Sequence, residues 1–343
     1  IAEINARKDE FLKEPVSTLY FGGGTPSQLG EDDFDRIFSA VSLLSSPSDW
    51  KEITIEANPD DLSPDYIAML RSLPFNRISI GVQSFNDNDL QFLNRRHTAR
   101  QAIEAIERCR AAGLENISID LMYGLPGQSS GQWNENLVQA LTLKPQHLSC
   151  YHLIYEEGTT LHNLLQKKQI DEIDEETSVA MFSLLMERLH DAGYEHYEIS
   201  NFALPGYRSR HNSSYWQDKP YIGIGASAHS YNGESRQWNV ADIREYIAQN
   251  KVGRFEPEIE PIDGDTRYNE SEITALRTCE GLEIQQLEQR FGKERKEYCL
   301  RMSEPFISSG KMILENGRLR LSKSGIFVSD AIMSALLFVS DAE

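Results

Sequence analysis

Runs rich in Ile and Val alternate with helix-like stretches along the first half of this chain, and this alternation limits its fold more than any other feature. The strand-like runs are Thr18–Phe21, Glu52–Ala57, Arg77–Gln83, Asn116–Tyr123 and His147–Tyr155. Helix patterns are read at Asp32–Leu44, Pro64–Leu73, Ala99–Ala112, Gly131–Leu143 and Glu175–Ala192. Some helix ends are marked: Ser63-Pro64 gives an N-cap and a first-turn proline, Thr98 with Gln101 makes a capping box, and Gly113 closes that helix. Strand and helix in turn at this spacing mean βα units and a parallel sheet or barrel. Weaker strand signals follow at Tyr194–Ile199 and Gly223–Ser230, with a loop-like aromatic stretch at 201–222 between them. Past residue 262 helices dominate, at Asp265–Thr278, Glu283–Arg290 and Lys293–Ser309, followed by a hairpin-like piece at Asn316-Gly317 and an apolar helix, Ser324–Phe338. That block is expected to form a small helical or winged-helix appendage.

Alternation inside the strands separates two faces. In Ile53-Thr54-Ile55-Glu56-Ala57-Asn58 the Ile side opposes a Thr/Glu/Asn side. Ile78 to Gln83 puts Ser79, Gly81 and Gln83 together, and Ile117 to Leu121 puts Ser118 and Asp120 together. Helices need an apolar surface, so the Ile/Val faces are expected outside and the polar faces inside. A filled barrel carries bulky Val, Ile and Leu inside. Here Ser, Thr, Gly, Glu, Gln and Asp would line it, and dry carboxylates there would each cost several kcal/mol. The interior is therefore expected to hold water or a polar ligand, with Glu56, Gln83 and Asp120 near the strand ends where barrel sites are built. The competing expectation is that Glu56 and Asp120 only form structural ion pairs, with Arg77 or Arg95.

The chain has 343 residues, which suits two domains or one large barrel with an appendage. A net charge of -19 disfavours nucleic acid and anionic lipid as partners. No run of about 18 apolar residues occurs, so no membrane-spanning helix is expected. The four cysteines, Cys109, Cys150, Cys279 and Cys299, lack metal or redox spacing and fit free thiols in a reducing cytoplasm. No signal peptide is read. Ile1–Glu14 reads as the last turns of a helix, so the natural N-terminus is expected upstream of Ile1.

A first strand runs into Gly22-Gly23-Gly24-Thr25-Pro26, where bare backbone lets a ligand approach main-chain groups. Downstream stand Ile55-Glu56-Ala57-Asn58-Pro59, Gly81-Val82-Gln83-Ser84-Phe85, Asn94-Arg95-Arg96-His97 and Asp120-Leu121-Met122-Tyr123-Gly124-Leu125-Pro126-Gly127-Gln128. In order and spacing these motifs resemble the radical S-adenosylmethionine (SAM) superfamily, in its coproporphyrinogen oxidase-like branch. The resemblance implies an α/β fold, a partial parallel barrel open on one side. It implies a SAM site in which Gly23, Gly24 and Thr25 hold the methionyl amino end and Glu56 is a binding acid. Gln83, Arg95 and Asp120 match positions that contact the nucleoside or a second SAM, and Ile154 is placed against adenine. An arginine fork suits a carboxylate, and carboxylates suit hydroxyls and an amine. The superfamily also carries a [4Fe–4S] cluster on Cys-x3-Cys-x2-Cys ahead of the glycine loop. This chain has no cysteine before Cys109, so cluster and first barrel strand are expected only in a longer protein.

His211-Asn212-Ser213-Ser214-Tyr215-Trp216 is similar to the HNxxYW motif of HemW-type haem chaperones. A neutral imidazole is a good axial ligand for haem iron, and Tyr215 and Trp216 can stack on a porphyrin. Arg208 and Arg210 are positioned in sequence to meet propionates, and His229 ranks second to His211 as a haem ligand. The expected organisation is a partial barrel over 1–235 with the haem motif in a loop at 201–222, a linker at 236–262 and a C-terminal domain at 263–343. The resemblance implies haem transfer to acceptor proteins, with membrane contact only through an acceptor and a homodimer left open. The alternative is oxygen-independent coproporphyrinogen III oxidation, in which SAM cleavage starts oxidative decarboxylation. A phosphate-binding aldolase-type barrel would instead need a lysine or phosphate site at the strand ends, and the strand runs hold no lysine, only Lys51 just before one.

Overall fold

The computed structural model describes residues 1–340, so the last three residues of the expected C-terminal domain lie outside the described residues. Two compact units form. Thr18–Asp35 with Trp50–Ser209 makes the sheet unit, and Ile1–Ser17, Arg36–Asp49 and the chain from Arg210 on make the second.

The sheet unit is built on β1 (Thr18–Phe21), β2 (Glu52–Ala57), β3 (Arg77–Gln83), β4 (Ile117–Tyr123), β5 (His147–His152), β6 (Glu195–Glu198) and β7 (Asn201–Ala203). Their order is β1-β2-β3-β4-β5-β7-β6. The first five are parallel neighbours, and β7 lies antiparallel between β5 and β6. β1 and β6 are the two ends of the sheet, so the half-barrel stays open, as expected. Ile55, Ile78, Ile80, Ile117 and Ile119 are fully buried, and the helix Ala99–Ala111 packs on β3 with Ala102, Ala105 and Ile106 also fully buried. Each such isoleucine contributes about 1.5–3 kcal/mol by leaving water. The register pairs Ser79 with Ser118 and Asp120 with Ser149, which keeps the small polar residues on one face.

The helix ends read from sequence hold. Ser63 Oγ accepts from the Tyr66 N–H at 3.2 Å, and the Thr98–Gln101 capping box is complete. The stretch 201–222 is not a loop. Its first residues form β7, and Arg210–Trp216 is a helix. A three-residue strand carries too little alternation to be seen in sequence, and β7 exists because β5 and β6 flank it.

In the second unit, β8 (His229–Tyr231), β9 (Ser235–Trp238) and β10 (Glu258–Pro261) make an antiparallel sheet in the order β10-β9-β8. Most of β9, the helix Ile243–Lys251 and β10 fall within residues 236–262, the expected linker, which is thus a folded piece. Its strands hid because β10 is exposed throughout and shows no apolar alternation. The N-terminal helix Ala2–Ala6 is tied to this sheet by charge. Buried Arg7 donates to the Gly223 carbonyl at 2.8 Å and to Ser230 Oγ at 3.1 Å, and buried Glu3 accepts from Asn239 at 2.8 Å and from the Gly225 N–H at 2.9 Å.

The C-terminal part is mostly helical, as expected. Gly264–Leu276 and Ile284–Ser308 are its long helices, the latter broken at Gly292 (φ 86°) between the two helices read from sequence. β11 (Leu282–Glu283), β12 (Met312–Glu315) and β13 (Arg318–Leu321) pair antiparallel in the order β11-β13-β12. Asn316 and Gly317 turn the β12–β13 hairpin with φ of 51° and 75°, the left-handed pair that a two-residue Asn-Gly hairpin needs. The expected terminal helix is two short ones, Lys323–Ile326 and Ser329–Leu336.

Candidate functional site

β1 delivers the glycine loop. Gly23 and Gly24 have φ of 73° and 64°, a conformation that side chains resist, and a Cβ on either would meet nothing within 4 Å. Their backbone is therefore bare and faces open space. The Gly23 N–H donates to Glu56 Oε2 at 3.2 Å, and the Tyr20 hydroxyl donates to Glu56 Oε1 at 2.5 Å. Glu56 sits one residue before the end of β2, so the loop after one strand and the acid of the next meet.

Asp120 lies on β4 across the same face. Ser79 Oγ donates to its two oxygens at 3.2 and 3.3 Å, and Ser149 on β5 donates to it as well. Burial pushes the Asp120 carboxyl up to about 6, with Glu56 adding to the rise and the two serines and Arg77 opposing it. Among the described residues the hydrogen-bond partners of Glu56 and Asp120 are hydroxyls and one amide, and neither acid forms an ion pair with Arg77 or Arg95, although the Arg77 charge acts on Asp120. Polar strand faces do turn together, as their alternation required.

Gln83 ends β3 in a left-handed conformation (φ 66°), with its side-chain amide folded back beside Gly81. Arg95 borders a cavity of about 390 Å³ whose lining includes Thr25, Asn58, Asp60 and His97. Burial lowers the Arg95 pKa, while Asp120 and Asp60 oppose that shift. Thr25 and Arg95 thus share one hollow beside the glycine loop. Ile154 lies two residues past β5 and is 74% exposed.

Sequence reasoning missed the buried polar frame that holds these loops. Asn136 Oδ1 accepts from the Phe85 N–H at 2.5 Å and from Ser84 Oγ at 3.1 Å. Ser84 and Gln128 both donate to Asp89 Oδ2, at 2.7 and 3.2 Å, and Gln128 Oε1 accepts the Gly124 N–H at 3.0 Å. The Gly81–Phe85 and Gly124–Gln128 motifs are therefore pinned to each other. Gly124 itself is forced: its φ is 74°, and a Cβ would fall 2.4 Å from His152 Nε2. The available signal was Asn136, a polar residue on the buried side of a helix pattern.

The second unit holds the other predicted group. His211, Tyr215 and Trp216 ride the helix Arg210–Trp216, where i and i+4 are neighbours. His211 Nε2 lies 2.9 Å from the Tyr215 hydroxyl, and the rings meet edge to face at 5.1 Å. The Arg277 guanidinium sits 5.0 Å over the Trp216 ring, whose buried Nε1 has no hydrogen-bond partner. His229 stacks on Trp238 at 5.8 Å. Arg208, in the sheet unit, pairs with Glu195 at 2.9 Å and lies over the Tyr197 ring, so its charge is already matched. Cys109, Cys150 and Cys299 are buried and Cys279 is exposed, and no group of three metal-ligating side chains occurs among the described residues.

Comparison with known proteins fits this geometry. Residues 1–137 match the Radical SAM superfamily and residues 262–328 match the HemN C-terminal domain. The chain is 33% identical to the Bacillus subtilis protein named heme chaperone HemW, covering 92% of this chain and 82% of that protein. It is 36% identical to the Lactococcus lactis protein of the same name, over 82% and 74% of the two chains. It is 32% identical to bovine mitochondrial radical S-adenosyl methionine domain-containing protein 1, over 94% and 76%. The fold is similar to that of Escherichia coli coproporphyrinogen III oxidase (HemN), with a TM-score of 0.82 at 22% identity, over 98% of this chain and 81% of that one. With a Radical SAM match over its first part and HemW relatives 33% and 36% identical over most of both chains, the chain belongs to the HemW family of the radical SAM superfamily.

Proposed function

We propose that this protein holds haem through His211 and hands it to acceptor proteins, and that it binds SAM at the strand ends of its half-barrel. The observation that carries the haem reading is the helical turn of His211 to Trp216, which sets an imidazole beside a phenol at 2.9 Å. Neutral imidazole nitrogen is the donor haem iron takes, and Tyr215 and Trp216 supply apolar ring surface for the porphyrin. In that reading the Tyr215 hydroxyl keeps the ring of His211 oriented until iron takes Nε2. Haem is cargo here, and the names of the HemW relatives support that role.

Membership of the superfamily implies SAM and a [4Fe–4S] cluster as cofactors. The residues fit SAM. Gly23 and Gly24 leave bare backbone for its amino-acid end, Glu56 and Asp120 offer carboxylate oxygens to an amine, a sulfonium or ribose hydroxyls, Thr25 and Arg95 line the neighbouring cavity, and Gln83 offers an amide beside Gly81. Ile154 offers an exposed apolar side chain past β5 for adenine. Bound SAM would supply a sulfonium and, with a reduced cluster, a source of radical chemistry. The chain's own contribution is to orient it and to balance its charge. The cluster does not fit residues 1–340, which bring no three thiolates together.

The test is anaerobic reconstitution of the full-length protein followed by haem titration. A Soret band that shifts on binding and weakens in His211→Ala is expected. An unchanged band in His211→Ala would remove His211 from the reading. Coproporphyrinogen turnover with release of 5′-deoxyadenosine would overturn the chaperone role in favour of an oxidase.

A further inference from the structure

We infer that Tyr20 is a positioning residue for the SAM site, holding the Glu56 carboxylate in its ligand-facing orientation through the hydroxyl contact on Oε1. This rests on the proposal that Glu56 binds SAM. Three observations carry it. First, the β1–β2 register pairs Tyr20 with Thr54, two residues before Glu56, so the phenol and the carboxylate share one face of adjacent strands. Second, the 2.5 Å bond from Tyr20 and the 3.2 Å bond from the Gly23 N–H engage the two carboxylate oxygens separately. A carboxylate held at both oxygens has lost its rotational freedom, yet each oxygen keeps a second lone pair for a ligand donor. Third, a Cβ on Gly22 would lie 2.4 Å from Tyr20 Cε1 and 2.9 Å from Glu56 Oε1. The first glycine of the loop is thus bare because the Tyr20 ring and the Glu56 head occupy the space beside it, whereas Gly23 and Gly24 are bare toward open space.

Tyr20 therefore differs from the residues that would touch SAM. It acts on the ligand only through Glu56, and its phenol stays neutral, because burial and the neighbouring Glu56 both push its pKa far up. A phenylalanine would keep the ring packing and delete only the donor.

The experiment is SAM binding by the reconstituted full-length protein in a double-mutant cycle of Tyr20→Phe and Glu56→Gln. Tyr20→Phe is expected to weaken SAM binding about tenfold, since it removes one charge-assisted hydrogen bond. In the Glu56→Gln background the same change is expected to cost nothing further, a result that loss of packing would not produce. Additive losses would overturn the positioning role. Wild-type binding by Tyr20→Phe with weak binding by Glu56→Gln would overturn this inference alone. Wild-type binding by Glu56→Gln would overturn the assignment of Glu56 to SAM and this inference with it.

Discussion

Asp120 in the sheet unit and Glu272 in the second unit are acids that burial has pushed upward, but their surroundings differ. Asp120 is half-buried and accepts from two serines on neighbouring strands. Glu272 is 0% exposed on the helix Gly264–Leu276, and neither of its oxygens has a hydrogen-bond partner. Tyr268 on the same helix and Cys299 on Ile284–Ser308 share its electrostatic surroundings without holding its carboxyl. Burial alone lifts Glu272 to about 8, whereas Asp120 stops at about 6 because hydroxyls and Arg77 pull it back. Partnered acids on a strand face remain ionisable near neutral pH and can serve a ligand. An unpartnered acid in a core stays protonated and makes stability depend on pH.

The widest effect should come from Glu272. Its folded-state pKa lies above the unfolded value, so between about pH 4.5 and pH 8 the folded chain holds a proton that the unfolded chain has released. Stability therefore falls as pH rises through that window, by on the order of 5 kcal/mol in full. Urea unfolding at pH 5, 6.5 and 8 should show that loss, and Glu272→Gln should flatten it. An unchanged slope in the variant would erase the contrast between the two acids.

Asp120 has the same sign over a narrower window, from about pH 4 to about pH 6, and contributes on the order of 2–3 kcal/mol. Its ligand effect runs the other way. As Asp120 ionises through about pH 6, affinity for cationic SAM should rise, several-fold between pH 5.5 and 7.5. Asp120→Asn should remove that rise and leave the neutral-pH fold intact. Calorimetric titration at the two pH values checks both.

A smaller effect bounds the comparison. Thr98→Ala breaks a capping box on the helix Ala99–Ala111 and should cost about 1 kcal/mol with no pH slope, measured by the urea midpoint. If it altered SAM affinity as strongly as Asp120→Asn, the loops would be coupled to helix stability rather than to site charge.

What the sequence determined by itself was local and periodic. Strand-like composition marked β1, β2 and β3 to the residue, and period-two alternation in β2 and β4 named the face that carries Glu56 and Asp120, because a strand's geometry assigns alternate side chains to opposite sides, whereas Gln83 follows a register shift in left-handed backbone that alternation does not announce. Caps and the Gly292 break were legible for the same reason, since they depend on a residue and its near neighbours. Tertiary structure alone decided the rest. β7 and β10 exist through the strands beside them, Glu272 is unpartnered because of what folds around it, and Tyr20 reaches Glu56 across a register no single strand encodes. Those outcomes depend on which distant segments meet, and neither propensity nor spacing along the chain carries that information.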